Sequence, residues 1–207
     1  MGDDMERRWV PRLVHSDRAR HLVGAGAVVN ILALDIATCT GFAHGDGTAL
    51  PTVGHVRLPS VIDGARGQLF HTFSRWMREK LATVQPDVLI FEAPILPQPF
   101  LRNGRIVYPT KLETTLILQG LVAIVELECH GVCTCVQTTV GEVKKQLTGN
   151  GKAEKPDMVR AARKMGLRIA VDDEADAAGV WLVGVRYYAK QHLHRFDRML
   201  WGRGATL

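Results

Sequence analysis

The stretch Ile31-Leu32-Ala33-Leu34-Asp35 decides the fold: four apolar residues in a row, then a carboxylate. An apolar run of this kind, flanked by Val28-Val29 and Ile36, suits a central strand covered on both faces. Ending it on an acid is rarely a packing choice, because a lone buried carboxylate is costly unless a cation or hydrogen-bond donors compensate it. A second such run, Val88-Leu89-Ile90-Phe91, ends on Glu92. Farther along, Asp173 and Asp176 stand three apart in Asp172-Asp173-Glu174-Ala175-Asp176-Ala177-Ala178, at the head of an Ala- and Val-rich segment. Two strand-end acids and an i, i+3 acidic pair on a late helix form a coherent set.

The other elements arrange themselves around these runs. Thr40-Gly41-Phe42-Ala43-His44 reads as a second strand, Gly45-Asp46-Gly47 as a hairpin turn and residues 53–58 as a third strand. Residues 62–84 are helical, with Leu69, Phe73, Trp76, Met77 and Leu81 at three- and four-residue steps. Pro86-Asp87 stops that helix and starts the strand that delivers Glu92. Pro94, Pro97, Pro99 and Pro109 mark a long loop without regular structure. A helix follows from Leu112 to Cys129, in which Gly120 and Ala123 let another helix approach closely, within the chain or across a dimer. Residues 132–136 form a fifth strand. Thr139-Val140-Gly141-Glu142 is a capping box opening a helix to Leu147, Gly149-Asn150-Gly151 ends it, and Pro156 begins another that runs to Met165. The last helix opens at Asp172 or Asp173 and reaches about Lys190. The order predicts an α/β fold with a five-stranded mixed sheet flanked by helices. The expected division is a polar, Arg-rich extension over 1–27, one domain over 28–190 and a basic tail over 191–207.

Composition narrows the partners. The chain has 207 residues, enough for one domain with a sizeable core, and 46% hydrophobic against 23% charged residues is ordinary for a soluble globular protein. Twenty-six Lys and Arg against 21 Asp and Glu give a net charge of +5. Several of the acids belong to the cluster above, so the remaining surface is more basic than the total implies and suits a polyanion. Cys39, Cys129, Cys133 and Cys135 are too few and too clustered for a secreted disulfide framework and read as reduced, buried thiols. A zinc site using Cys129 and His130 matches no standard ligand spacing. The longest apolar stretch, residues 22–33, carries Asn30 and falls short of the roughly 20 residues a membrane span needs. The acidic start, Met1-Gly2-Asp3-Asp4-Met5-Glu6, is unlike a signal peptide. A cytoplasmic protein with no membrane partner is expected.

The acids suggest phosphodiester hydrolysis. That reaction needs an activated water, neutralisation of charge on the phosphoryl oxygens and help for the leaving 3′ oxygen, which two divalent ions about 4 Å apart can supply. Mg²⁺ takes hard oxygen ligands and keeps several waters, so three or four carboxylates suffice. Asp35, in the middle of the sheet, is the natural bridging acid, and i, i+3 spacing puts Asp173 and Asp176 on one helix face. Acids near a helix N-terminus also complement its dipole, and Asp172 and Glu174 are assigned that role alone. An Asp172/Asp176 pair at i, i+4 is the alternative. Just before the acidic helix, Val143-Lys144-Lys145-Gln146-Leu147-Thr148-Gly149-Asn150-Gly151-Lys152-Ala153-Glu154-Lys155 sets four lysines around two glycines, a pattern that lets backbone N–H groups and cations meet a phosphate.

With these residues in view, the chain resembles the RuvC family of Holliday-junction resolvases, of the ribonuclease H-like superfamily, over approximately residues 29–188. The matching elements are Leu32-Ala33-Leu34-Asp35-Ile36-Ala37, the strand ending in Glu92, the Gln119-Gly120 helix, the Lys144 to Lys155 segment and Asp173-Glu174-Ala175-Asp176-Ala177. The resemblance implies a ribonuclease H-like fold and a homodimeric endonuclease nicking four-way DNA junctions. Asp35, Glu92, Asp173 and Asp176 would be catalytic ligands of two Mg²⁺ ions per site, with Mn²⁺ as a substitute. Lys144 and Lys155 match the family's functional lysines near the scissile phosphate, and Lys145 and Lys152 join them as DNA-binding candidates. Cellular members place an aromatic soon after the strand-end Glu. Here Ala93-Pro94-Ile95-Leu96-Pro97-Gln98-Pro99-Phe100 intervenes, a longer proline-rich connection closer to bacteriophage relatives that act on a broader set of branched DNAs. Phe100 or Tyr108 is the candidate for stacking on unpaired bases, and Phe100 reads equally as a loop anchor packed on the core.

Other readings stay open at this point. The same fold serves nucleases acting on RNA or RNA–DNA hybrids. A non-catalytic junction binder would gain from losing negative charge near phosphates, which the acidic quartet contradicts. A nucleotide-binding protein of the actin and sugar-kinase type needs two halves, for which the chain is too short.

Overall fold

The computed structural model describes residues 13–15, 28–61, 65–92, 94, 100–103, 105–107 and 111–201. Its strands are β1 (Leu13–His15), β2 (Ile31–Asp35), β3 (Cys39–Gly45), β4 (Thr52–Arg57), β5 (Val88–Glu92), β6 (Phe100–Arg102), β7 (Arg105–Val107) and β8 (Thr134–Thr138). Its helices are α1 (Gly67–Val84), α2 (Leu112–Cys129), α3 (Val140–Thr148), α4 (Lys155–Lys164), α5 (Asp172–Tyr188) and α6 (Leu193–Trp201). The main sheet runs β1-β8-β5-β2-β3-β4. β2, β5 and β8 are parallel to one another, whereas β2-β3-β4 is an antiparallel meander. The five expected strands are therefore present in a mixed sheet. A sixth, β1, pairs antiparallel with β8 from within the region read as an extension.

Side-chain alternation sorts the core into two layers. Ile31, Ala33, Val88, Ile90 and Val136 point to one face, where α3, α4, α5 and α6 cover them. Leu32, Leu34, Leu89, Phe91 and Cys135 point to the other, under α1 and α2. α5 lies at the centre of the first layer, and residues Ala177 to Val185 are buried without interruption. An all-round apolar helix of this kind is a core helix, not a surface one. Trp181 anchors it: the indole N–H donates to the Gly45 carbonyl at 3.0 Å, and the ring meets Phe196 edge-on at 5.2 Å.

Two further features depart from the sequence reading, and one open alternative is resolved. The proline-bearing loop contains a hairpin, β6–β7, paired from Phe100↔Val107 to Arg102↔Arg105. All four prolines lie outside these strands, and Asn103, at φ 52°, takes the left-handed conformation that an Asn-Gly turn favours. The tail after residue 190 is a single 3₁₀ turn (Lys190–His192) followed by α6, whose Phe196 and Leu200 are buried while Arg195 and Arg198 stay exposed. An i, i+4 apolar pair among basic residues is enough to make an amphipathic helix. Gly120 is filled within the chain, since a Cβ there would sit 2.4 Å from the Phe70 ring of α1.

Cys129, Cys133 and Cys135 are free thiols buried in the α1/α2 layer, and Cys39 is a free thiol partly exposed. Among the described residues, no helix is long and apolar enough to cross a membrane. Phe196→Ala should lower the unfolding free energy by about 3–5 kcal/mol, the usual cost of emptying a core aromatic site. Chemical denaturation measures this, and a change near zero would mean that α6 is not part of the cooperative fold.

Candidate active site

Asp35 and Glu92 each follow a paired position on neighbouring parallel strands, one residue beyond Leu34↔Phe91. The same alternation that sends Leu34 and Phe91 toward α1 and α2 sends both acids toward α5. They stand half-buried at the C-terminal end of the parallel strands. α5 starts over this end, bringing Asp173 and Asp176, also half-buried, down from its first turns.

The electrostatics register the convergence. Burial, then the charges of Glu92, Asp176 and Asp173, hold the Asp35 carboxyl well above the usual carboxylate range. Burial and the Asp176 charge push Glu92 up to about 7. Asp176 rises to about 6, chiefly through burial, with Lys155 opposing and Asp172 and Asp173 adding to it. The charges of Glu92, Asp173 and Asp176 are thus all felt at Asp35. Among the described residues, however, no group of three or more His, Cys, Asp or Glu side chains is drawn tightly enough together to hold a metal ion.

Of the four candidate lysines, two lie at this site. Lys144, on the first half of α3, lowers both Glu92 and Asp176, and Lys155, at the start of α4, lowers Asp35 and Asp176. α3 begins at Thr139, whose side chain accepts from the Glu142 amide, and ends at Gly149 with φ 79°. These caps fix the helix that carries Lys144. Lys155 forms an ion pair with Asp172 at 2.5 Å, and that bond is the main cause of the lowered Asp172 carboxyl and the raised Lys155 ammonium. Asp172 is therefore engaged with Lys155, in contrast to the dipole role assigned to it from sequence. Lys145 and Lys152 are exposed on α3 and the α3–α4 turn. Phe100 opens β6 with its side chain outside the described residues, and Tyr108 lies outside them altogether.

Other residues at the site were not legible beforehand. The Cys39 thiol is pushed up to about 11 by burial and by its hydrogen bond with Asp173. Glu174 is 5% exposed and bonded to His55 of β4 at 2.8 Å, so it does more than face the helix dipole. Burial alone would raise its carboxyl, but the bonds from His55 and from the Ala170 and Val171 amides bring it below its ordinary value. No periodic pattern connects His55 with a residue 119 positions away.

The mixed sheet with helices on both faces makes this an α/β chain. Within that class its fold is similar to that of RuvC structures. The structure of Thermus thermophilus RuvC matches with a TM-score of 0.58 at 15% identity, covering 78% of this chain and 96% of that one. T. thermophilus RuvC in complex with a Holliday junction substrate matches at 0.58 and 16% identity, covering 80% and 97%. The yeast mitochondrial Holliday junction resolvase Ydc2 matches at 0.54 and 14% identity, covering 88% and 90%. No protein-family model and no curated protein matches the sequence.

Carboxyls raised in the folded state bind protons more readily there than in the unfolded chain. Their contribution to stability is complete below the ordinary values, 4.5 for Glu92 and 3.8 for Asp176, and is lost as pH rises through about 7 and about 6, respectively. The Tm of the metal-free protein should therefore fall between about pH 5 and about pH 8, and Glu92→Gln should flatten the fall. A Tm that climbs over this interval in calorimetry would contradict the site's electrostatics.

Proposed function

We propose that this protein is a Mg²⁺-dependent endonuclease that nicks four-way junctions and other branched DNA as a homodimer. The observation that carries the reading is the shared electrostatic site of Asp35, Glu92, Asp173 and Asp176 at the C-terminal end of the parallel strands. Further support comes from fold likeness to RuvC, a structure of which holds a Holliday junction substrate, and to the resolvase Ydc2.

The donor chemistry fits a hard divalent cation. All four candidate ligands are oxygen donors, and three have carboxyls destabilised by burial and mutual repulsion, which a cation would relieve. Asp35, Glu92, Asp173 and Asp176 would hold it, drawing closer around it than they stand in the described geometry. When bound, the metal supplies activation of a water and neutralisation of phosphoryl charge. The chain's own part is to orient and exclude. Lys144 and Lys155 flank the acids and offer cations to the phosphodiester backbone, where charge-assisted bonds position a strand without reading its bases. A groove between the end of β4 and the first turns of α1 and α2 carries Arg57, Ser60, Lys111, Glu113 and Thr114 among apolar residues. The apolar wall of α5 beneath the acids keeps bulk water from one side of the site. Dimerisation has a candidate surface in Leu112, Leu116 and Leu127, exposed on α2 at 74%, 45% and 70%.

A labelled four-way junction, incubated with Mg²⁺ or with chelator, tests the reading. Asp35→Asn and Asp176→Asn should each abolish nicking while junction affinity holds or rises, because each removes a negative charge facing phosphates. Lys155→Ala should lower cleavage roughly ten- to hundredfold, the worth of a charge-assisted bond, with little change in Tm. Near-normal cleavage by Asp176→Asn would remove Asp176 from the site. Preference for an RNA–DNA hybrid over the junction would move the chain to another substrate class.

A further inference from the structure

Asp35, Gly41 and His55 form one row across three strands: Asp35 pairs with Gly41, and Gly41 pairs with His55. Directly paired residues present their side chains to the same face of a sheet, here the face under α5. The first turn of α5 rests on this row at two points. Above Gly41, a Cβ would come within 2.0 Å of the Asp173 carbonyl oxygen and 2.4 Å of its carbon, so only glycine admits the helix backbone this close. At the outer end, His55 Nδ1 lies 2.8 Å from Glu174 Oε1, and the other Glu174 oxygen accepts from the Ala170 amide at 2.7 Å. An ionised carboxylate only accepts, so Nδ1 carries the proton and donates.

The burial of Glu174 calls for a cause. An acid in a first helical turn gains its dipole interaction while exposed, and sinking it among apolar residues adds a desolvation cost. What the buried bonds supply is orientation. Successive residues step 100° around a helix, so Glu174 projects from the flank beside the face that carries Asp173 and Asp176. Tethering that flank to β4 fixes the rotation of the turn about its axis. Gly41 fixes its height above the sheet.

We propose that His55 and Gly41 are positioning residues of the acid site: together with Glu174 they set the height and rotation at which the first turn of α5 presents Asp173 and Asp176 to Asp35 and Glu92. Both act through the first turn of α5, Gly41 against the Asp173 backbone and His55 on Glu174. The inference rests on reading the four acids as the metal-binding nuclease site. Displacement of a reacting group by about 1 Å can cost a hundredfold in rate, so the tether has leverage beyond its own bond energy.

His55 lies on the edge strand β4, with its side chain 33% exposed, so variants there should fold. His55→Asn keeps an N–H donor one bond from Cγ, where Nδ1 sits, and His55→Ala removes it. Three readouts apply: hydrogen exchange of the 172–176 amides in metal-free protein, Mn²⁺ affinity by electron paramagnetic resonance without DNA, and junction cleavage. His55→Ala should speed exchange in that turn and weaken Mn²⁺ binding about 10- to 100-fold, with cleavage falling in step and metal-free junction binding unchanged. His55→Asn should restore most of the loss, and Gly41→Ala should reproduce it. Wild-type exchange and Mn²⁺ affinity in His55→Ala, or an Asn variant as impaired as the Ala variant, would overturn the proposal. A wild-type protein that binds Mn²⁺ but cuts no junction would sink the nuclease reading alone, because exchange and metal affinity still report on the tether.

Discussion

Adjacent strands β2 and β5 carry their last apolar residues in register, and each then places a carboxylate on the opposite face, the one α5 covers. Strand alternation leaves no choice: once Leu34 and Phe91 are committed to the α1/α2 layer, the next side chain on each strand must face α5. The site is therefore built from the same periodicity that builds the core. It brings like charges together in partly desolvated surroundings, an arrangement that opposes folding, and the uninterrupted burial of α5 from Ala177 to Val185 holds it in place.

The parts of this plan visible in the sequence are those that local pattern determines. Apolar runs ending in acids announce β2 and β5. Period-3.6 spacing gives α1, apolar content after the proline-bearing loop gives α2, and the capping residues at Thr139 and Gly149 bound α3 within a residue or two. Asp173 and Asp176 are legible as a pair because helical spacing alone sets their proximity. The hairpin β6–β7 is hidden by the prolines around it, although its Asn-Gly turn lies in plain view. α6 is hidden by charge: its basic residues read as a tail, while two buried side chains, Phe196 and Leu200, determine its fate. The acids' supporting contacts are invisible for a different reason. Gly41, His55 and Cys39 act through partners more than a hundred positions away, and no window along the chain contains both ends of such a contact.

Identity of 14–16% with the RuvC and Ydc2 structures fits the division of labour seen here. A core accepts many apolar residues of suitable volume, so layers such as Leu32/Leu34 and Ile31/Ala33 can change composition while strand order persists. Between Glu92 and Phe100 the sequence reading finds a longer, proline-rich connection than in the cellular members of the family it resembles.

Leu13–His15 has a consequence for handling the protein. By pairing with β8 it occupies backbone donors and acceptors that would otherwise line an open border of the sheet. At the opposite border, β4 presents Thr52, His55 and Arg57 to solvent, and polar and charged side chains discourage neighbouring molecules from adding strands. The β8 border has mainly Thr134, Cys135 and Val136, buried and without charge. Trimming the chain to residue 28 would leave that border bare and sticky, so a shortened protein invites intermolecular strand addition and self-association even with the acid cluster intact.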